Sequence, residues 1–108
     1  MIEFDYNEAI QMLIDNLGEE KAQVLIDEFK DLIKGAIENA WIALDNKNYE
    51  EFGFQCHTIK SNSAILGETD LECLCAEIDE ITYNKEFEKI PDIEEEFIRL
   101  SKNIYKKL

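Results

Sequence analysis

The sequence predicts an all-α protein, an antiparallel four-helix bundle with a short additional helix at the N-terminus. Three observations lead there. The 108 residues hold one proline and four glycines and are rich in Glu, Leu, Ile and Lys, a composition that favours helix over strand. Apolar residues recur at intervals of three and four along four long stretches, the spacing of one helix face. The breaks between those stretches are short and polar, as antiparallel neighbours require. The length suits one core, so residues 1–108 are read as a single domain with no internal repeat or linker.

The elements follow in order. "YNEAIQMLIDNLG" offers Asn7 as a cap, carries Ile10, Leu13, Ile14 and Leu17 at helical spacing, and stops at Gly18, which makes a short first helix. From Glu19 to about Asp45 the positions Ala22, Leu25, Phe29, Leu32, Ala36, Ala40 and Leu44 form the stripe of the longest helix. "LDNKNYEEF" breaks it, and Asn48 with Glu51 three residues on makes a capping-box pattern for a third helix from about Tyr49 to Leu66. Gly67 interrupts; Thr69 or Asp70 can cap a fourth helix whose stripe is Leu71, Leu74, Cys75, Ile78 and Ile81. "YNKEFEKIPD" reads as a polar connection. After Pro91 and Asp92, residues Ile93, Phe97, Leu100, Ile104 and Leu108 mark the last helix, with Lys106 and Lys107 near its negative end.

Charge narrows the function. Twenty-five acidic residues against eleven basic ones give a formal charge of −14, a field that repels phosphate backbones and anionic headgroups. Nucleic acid and membrane surfaces are therefore not expected partners. No apolar run approaches the roughly 20 residues of a membrane span, and "MIEFDYNEAI" lacks the basic and apolar regions of an export signal. Cys56 and Cys75 fall on apolar stripes, where thiols act as small hydrophobes, and a reducing, cytoplasmic setting fits.

The one histidine in the chain stands in "QCHTIKSNSAILG". On the third helix, Tyr49, Phe52, Cys56, Ile59, Ser63 and Leu66 share an arc of about 100°, the core face. His57 lies about 130° from its centre and should face solvent, with Lys60 about 60° round toward the core edge. Gly53 and Ser61, one turn away on either side, and Ala64, two turns on, are all small. The imidazole is expected to stand clear on the surface, approachable by a large body. Phe54, Thr58, Ser61 and Ile65 run along its far flank and offer a docking shoulder with two apolar members.

The joint spacing of His57, Lys60, Ser61, Ser63, Leu66 and Gly67, then Leu71, Leu74, Cys75, Ile78 and Asp79, resembles the histidine-containing phosphotransfer (HPt) domain. That family's signature runs His, two residues, Lys, Gly, two small residues, then Leu-Gly, followed by a helix reading Leu-x-x-Leu-Cys-x-x-Leu-Glu. "HTIKSNSAILGETDLECLCAEID" matches most of it, and the flanking helices agree in length and order. The resemblance implies that His57 accepts a phosphoryl group from a phosphoaspartate on one response-regulator receiver and passes it to another. Receivers, or a hybrid sensor histidine kinase that carries one, would be the partners. Gly53, Phe54, Ala64 and Ile65 are the expected partner surface, and the domain is expected to be monomeric.

The residues suit that chemistry on their own terms. A neutral imidazole presents an unprotonated nitrogen near pH 7, and a cation one turn away, Lys60, can steady a phosphoryl group in flight. Asp79 stands where the family often has Glu or Gln and can hold the near ring N–H. It is one methylene shorter than glutamate, which leaves room for an intervening water. Ser61 replaces the family glycine and can bond the His57 carbonyl or a phosphoryl oxygen. With no P-loop or glycine-rich cradle, no ATP-dependent kinase activity is expected. No cofactor is expected either, and any Mg²⁺ would sit on the partner receiver. An inert helical adaptor binding through Phe54 and Ile65 is the alternative. A di-metal carboxylate bundle would need Glu three residues before His57, where Phe54 stands. A catalytic triad lacks a nucleophile, since Cys56 points into the core.

Overall fold

The computed structural model describes residues 8–108. Five α-helices follow one another: α1 (Glu8–Leu17), α2 (Glu19–Asp45), α3 (Tyr49–Ile65), α4 (Thr69–Tyr83) and α5 (Ile90–Tyr105). A single 3₁₀ turn at Phe87–Lys89 leads into α5, and no strand occurs among the described residues.

The helix ends are set by backbone hydrogen bonds that the sequence permits at a few positions. Gly18 alone separates α1 from α2: its N–H donates to Ile14 O while its own carbonyl accepts from Ala22 N–H, both at 3.1 Å. It ends one helix and starts the next by leaving the helical conformation at a positive φ, +85°, which glycine adopts without strain. Three later helices end in the Schellman pattern, in which a left-handed residue turns the chain back on the last carbonyls. At the end of α3 that residue is Gly67, with Glu68 N–H donating to Ser63 O at 2.9 Å. At the ends of α2 and α4 it is Lys47 and Lys85, at φ +54° and +57°, with Asn48 donating to Ala43 O and Glu86 to Ile81 O.

α2 packs on α3 and α5, α4 packs on the same two, and α1 lies against α2. The cycle α2–α3–α4–α5 encloses one core. Within it the Phe52 and Phe97 rings meet edge to face, centroids 4.9 Å apart at 88°, and Ile37, Ile59, Ile78 and Ile104 belong to the same buried cluster. Across the α2–α5 seam, Trp41 Nε1 donates to Ser101 Oγ at 3.0 Å and its ring lies 5.0 Å from that of Tyr105. Among the described residues no helix is long and apolar enough to cross a membrane.

The bounds of α2 are those expected, and Ala22, Ala36, Ala40 and Leu44 of its expected stripe are buried, but the stripe departs from expectation between Ala22 and Ala36. Ile26, Ile33 and Ile37 are buried, Leu25 and Phe29 are half-buried, and Leu32 is 57% exposed. Two offset sets of apolar residues share this helix, and packing chose the β-branched one. At the start of α4 the cap position falls on Glu68 without a side-chain bond, so Thr69 and Asp70 are first-turn residues rather than caps. α5 begins at Ile90, ahead of the proline, because Pro91 in the first turn gives up an N–H that has no helical partner there. Asn7, the expected cap of α1, lies outside the described residues.

Candidate functional site

α3 starts at Asn48, whose side-chain oxygen accepts from Glu51 N–H at 3.3 Å. The return half of the capping box is missing for a structural reason. Asn48 N–H is already taken by Ala43 O in the turn that ends α2, and the Glu51 carboxylate accepts from Gln55 Nε2 instead. From this start the helical period carries Phe52, Cys56, Ile59, Ser63 and, at the cap, Leu66 inward, all fully or almost fully buried, while Tyr49 is half-buried.

His57 then falls on the open side, with 63% of its side chain exposed. Its Nδ1 lies 3.1 Å from Asp79 Oδ2 on α4. Lys60, one turn along α3, donates from Nζ to the same Oδ2 at 3.0 Å. Three residues chosen from the sequence are thus joined at one oxygen, and the aspartate reaches the ring directly, without the water its short side chain left room for.

The electrostatics follow from that shared oxygen. Burial alone would raise the Asp79 carboxyl pKa, but the hydrogen bonds from Lys60 and from His57 outweigh it and hold the carboxyl below its ordinary value. Asp79 is therefore a carboxylate near neutral pH, and a carboxylate only accepts. In the neutral ring the proton then sits on Nδ1, and Nε2 keeps its lone pair. The arrangement can present an exposed nucleophilic nitrogen with a cation about one helical turn away.

The remaining candidates divide. Ser61 is exposed, and its Oγ donates to His57 O at 3.5 Å, a long contact that leaves the hydroxyl free to turn outward. Phe54 is 67% exposed, while Ala64 and Ile65 are half-buried, so the flank beside His57 is an open ring followed by partly covered positions. Gly53 is a correction: it does not face solvent. It is buried where α3 meets α4, and a Cβ placed on it would stand 2.5 Å from Thr82 Cγ2 and Oγ1. A wheel drawn for α3 alone cannot show where a neighbouring helix comes closest. Thr82 was missed for the same reason; its Oγ1 donates to Asp79 O at 3.1 Å.

Cys56 and Cys75 are both buried without any exposed surface, and Cys73 is exposed. Burial pushes the Cys56 thiol pKa well up, and the adjacent Cys75 adds to it, so Cys56 stays protonated and inert beside His57. Among the described residues no group of three or more His, Cys, Asp or Glu side chains is arranged to hold a metal ion. Comparison with family models, with curated proteins and with solved structures returns no match for this chain.

Proposed function

We propose that this chain is a phosphoryl carrier of the HPt kind, with His57 taking a phosphoryl group from the aspartyl phosphate of one receiver domain and giving it to the aspartate of another. The reading takes α2 to α5 as an antiparallel four-helix bundle with α1 as the short additional helix, acting as a monomer in the cytoplasm. The single observation that carries it is the shared oxygen of Asp79: it accepts from His57 at Nδ1 and from Lys60, on an imidazole left 63% exposed.

In the forward step His57 Nε2 attacks phosphorus, the N–P bond forms, and the P–O bond to the donor aspartate breaks. The donor carboxylate leaves with the electron pair. The ring becomes a phosphoimidazolium, whose Nδ1–H remains on Asp79, and Lys60 turns from Asp79 toward the phosphoryl oxygens. The reverse of the same step, on a second receiver, discharges it. Mg²⁺ would be held by the receiver. The carrier has no autonomous kinase activity in this reading, because the phosphoryl group arrives already activated.

A second reading, a helical adaptor that only docks a partner, draws on the 67% exposure of Phe54 beside the same histidine. Incubation with a phosphorylated receiver separates the two. The carrier reading expects a label on the chain that is stable to alkali, labile to acid and absent in His57→Gln. The adaptor reading expects binding with no label.

A further inference from the structure

We infer that Gly53 is a positioning residue for this site: the close approach it permits between α3 and α4 lets the short side chain of Asp79 hold His57 Nδ1 directly. The side chain at position 79 is short for the distance it spans. Asp79 reaches Nδ1 at 3.1 Å although aspartate is one C–C bond, about 1.5 Å, shorter than glutamate. Something must bring the two helices together at this level.

Gly53 stands one turn before His57 on α3, and Thr82 stands one turn after Asp79 on α4. These two turns are in contact at van der Waals distance only because Gly53 has no side chain. A Cβ at position 53 would lie 2.5 Å from Thr82 Cγ2 and Oγ1 and 2.6 Å from Thr82 Cβ. Carbon atoms pack at about 3.5–4.0 Å, so the helices would have to part by about 1 Å. Rotating Thr82 does not relieve this. Its Cβ is fixed to the helix, and its Oγ1 is tied to Asp79 O, one turn back. Parting by that much takes the His57–Asp79 pair beyond hydrogen-bond length.

The spacing and the side-chain length at position 79 therefore form a matched pair. The close frame suits aspartate, and a wider frame would suit glutamate. This gives an expectation that a residue of merely structural importance would not: Gly53→Ala and Asp79→Glu each break the site, and together they mend it.

His57 is the sole histidine, so its ring nitrogens are directly identifiable by ¹⁵N NMR in uniformly labelled protein. In the full chain the neutral ring is expected to carry its proton on Nδ1. Gly53→Ala alone and Asp79→Glu alone are each expected to shift the proton to Nε2, as in an unheld imidazole. The double variant is expected to return it to Nδ1. An unchanged tautomer in Gly53→Ala, or a double variant that fails to restore it, overturns the inference. If Gly53→Ala does not fold by circular dichroism, Asp79→Glu alone decides, and an undisturbed Nδ1 proton there overturns it.

The consequence for transfer rests on the proposed phosphotransfer reading: labelling should slow about tenfold to a hundredfold in each single variant and recover in the double. Should the wild type accept no phosphoryl group from any receiver, the relay falls while the tautomer cycle still stands or fails by itself.

Discussion

Two serines with no exposed surface should respond in opposite directions to the same substitution. Ser63 on α3 is fully buried, and its Oγ has no hydrogen-bond partner among the described residues. Ser101 on α5 is just as buried, but its Oγ donates to Ile98 O at 3.2 Å and accepts from Trp41 Nε1 at 3.0 Å. An unsatisfied buried hydroxyl costs about 1–3 kcal/mol, and removing it recovers that cost. Alanine adds roughly half a kcal/mol of helix propensity, against a few tenths lost with the oxygen's dispersion contacts. Ser63→Ala should therefore stabilise the protein by about 1–3 kcal/mol. Ser101→Ala removes two bonds and strands a half-buried indole N–H, so it should destabilise by about 1–2 kcal/mol. Urea unfolding at constant slope reads both as shifts of the midpoint, and by calorimetry each kcal/mol should move Tm by about 4–8 °C. Two shifts of the same sign would mean that hydrogen-bond partners do not decide the outcome, because the substitutions differ only in the partners they remove.

Three further outcomes follow from the same structure. Lys47→Gly and Lys85→Gly should each stabilise by about 0.5–1 kcal/mol in urea unfolding, since each lysine sits in a left-handed conformation that costs about 1–2 kcal/mol for a residue with a Cβ, partly offset by glycine's freedom in the unfolded chain. The folded-state pKa of Asp79 is depressed, so its contribution is present above the ordinary aspartate value near 4 and is lost as pH falls through the folded value. Asp79→Asn should accordingly flatten the acid limb of stability against pH below about 4, and an unchanged limb would contradict the pairing with Lys60 and His57. A thiol reagent should label Cys73 quickly and reach Cys56 and Cys75 only as the protein unfolds, measured as one fast equivalent followed by two slow ones.

How much of this was legible in the sequence depended on whether one helix or two decided the matter. The limits of α2 could be read because Gly18 and the turn before Asn48 are local signals, and the outward position of His57 could be read because a wheel for α3 needs no neighbour. The sides of α3 that carry His57 and Lys60 were legible in the same way, whereas Asp79 was picked out as their partner through the resemblance to the HPt signature, which supplies the pairing of two helices that a wheel for one cannot. The distance between α3 and α4 was not. Gly53 meets Thr82 so closely that a Cβ would not fit, and that contact turned an expected patch of open surface into a buried helix crossing beside the site. The stripe of α2 failed differently: Leu25, Phe29 and Leu32 compete with Ile26, Ile33 and Ile37 for the inward face, and only the helices packed against α2 break the tie.

The most direct test is a two-step transfer. The purified chain is loaded from a phosphorylated receiver of its own genome, separated, and mixed with each of the other receivers. The proposal expects label to appear on wild-type protein, to leave it for at least one second receiver, and to be lost entirely in His57→Gln. Protein that takes no label from any receiver, or takes it equally well without His57, would contradict the assignment of this imidazole as the carrier.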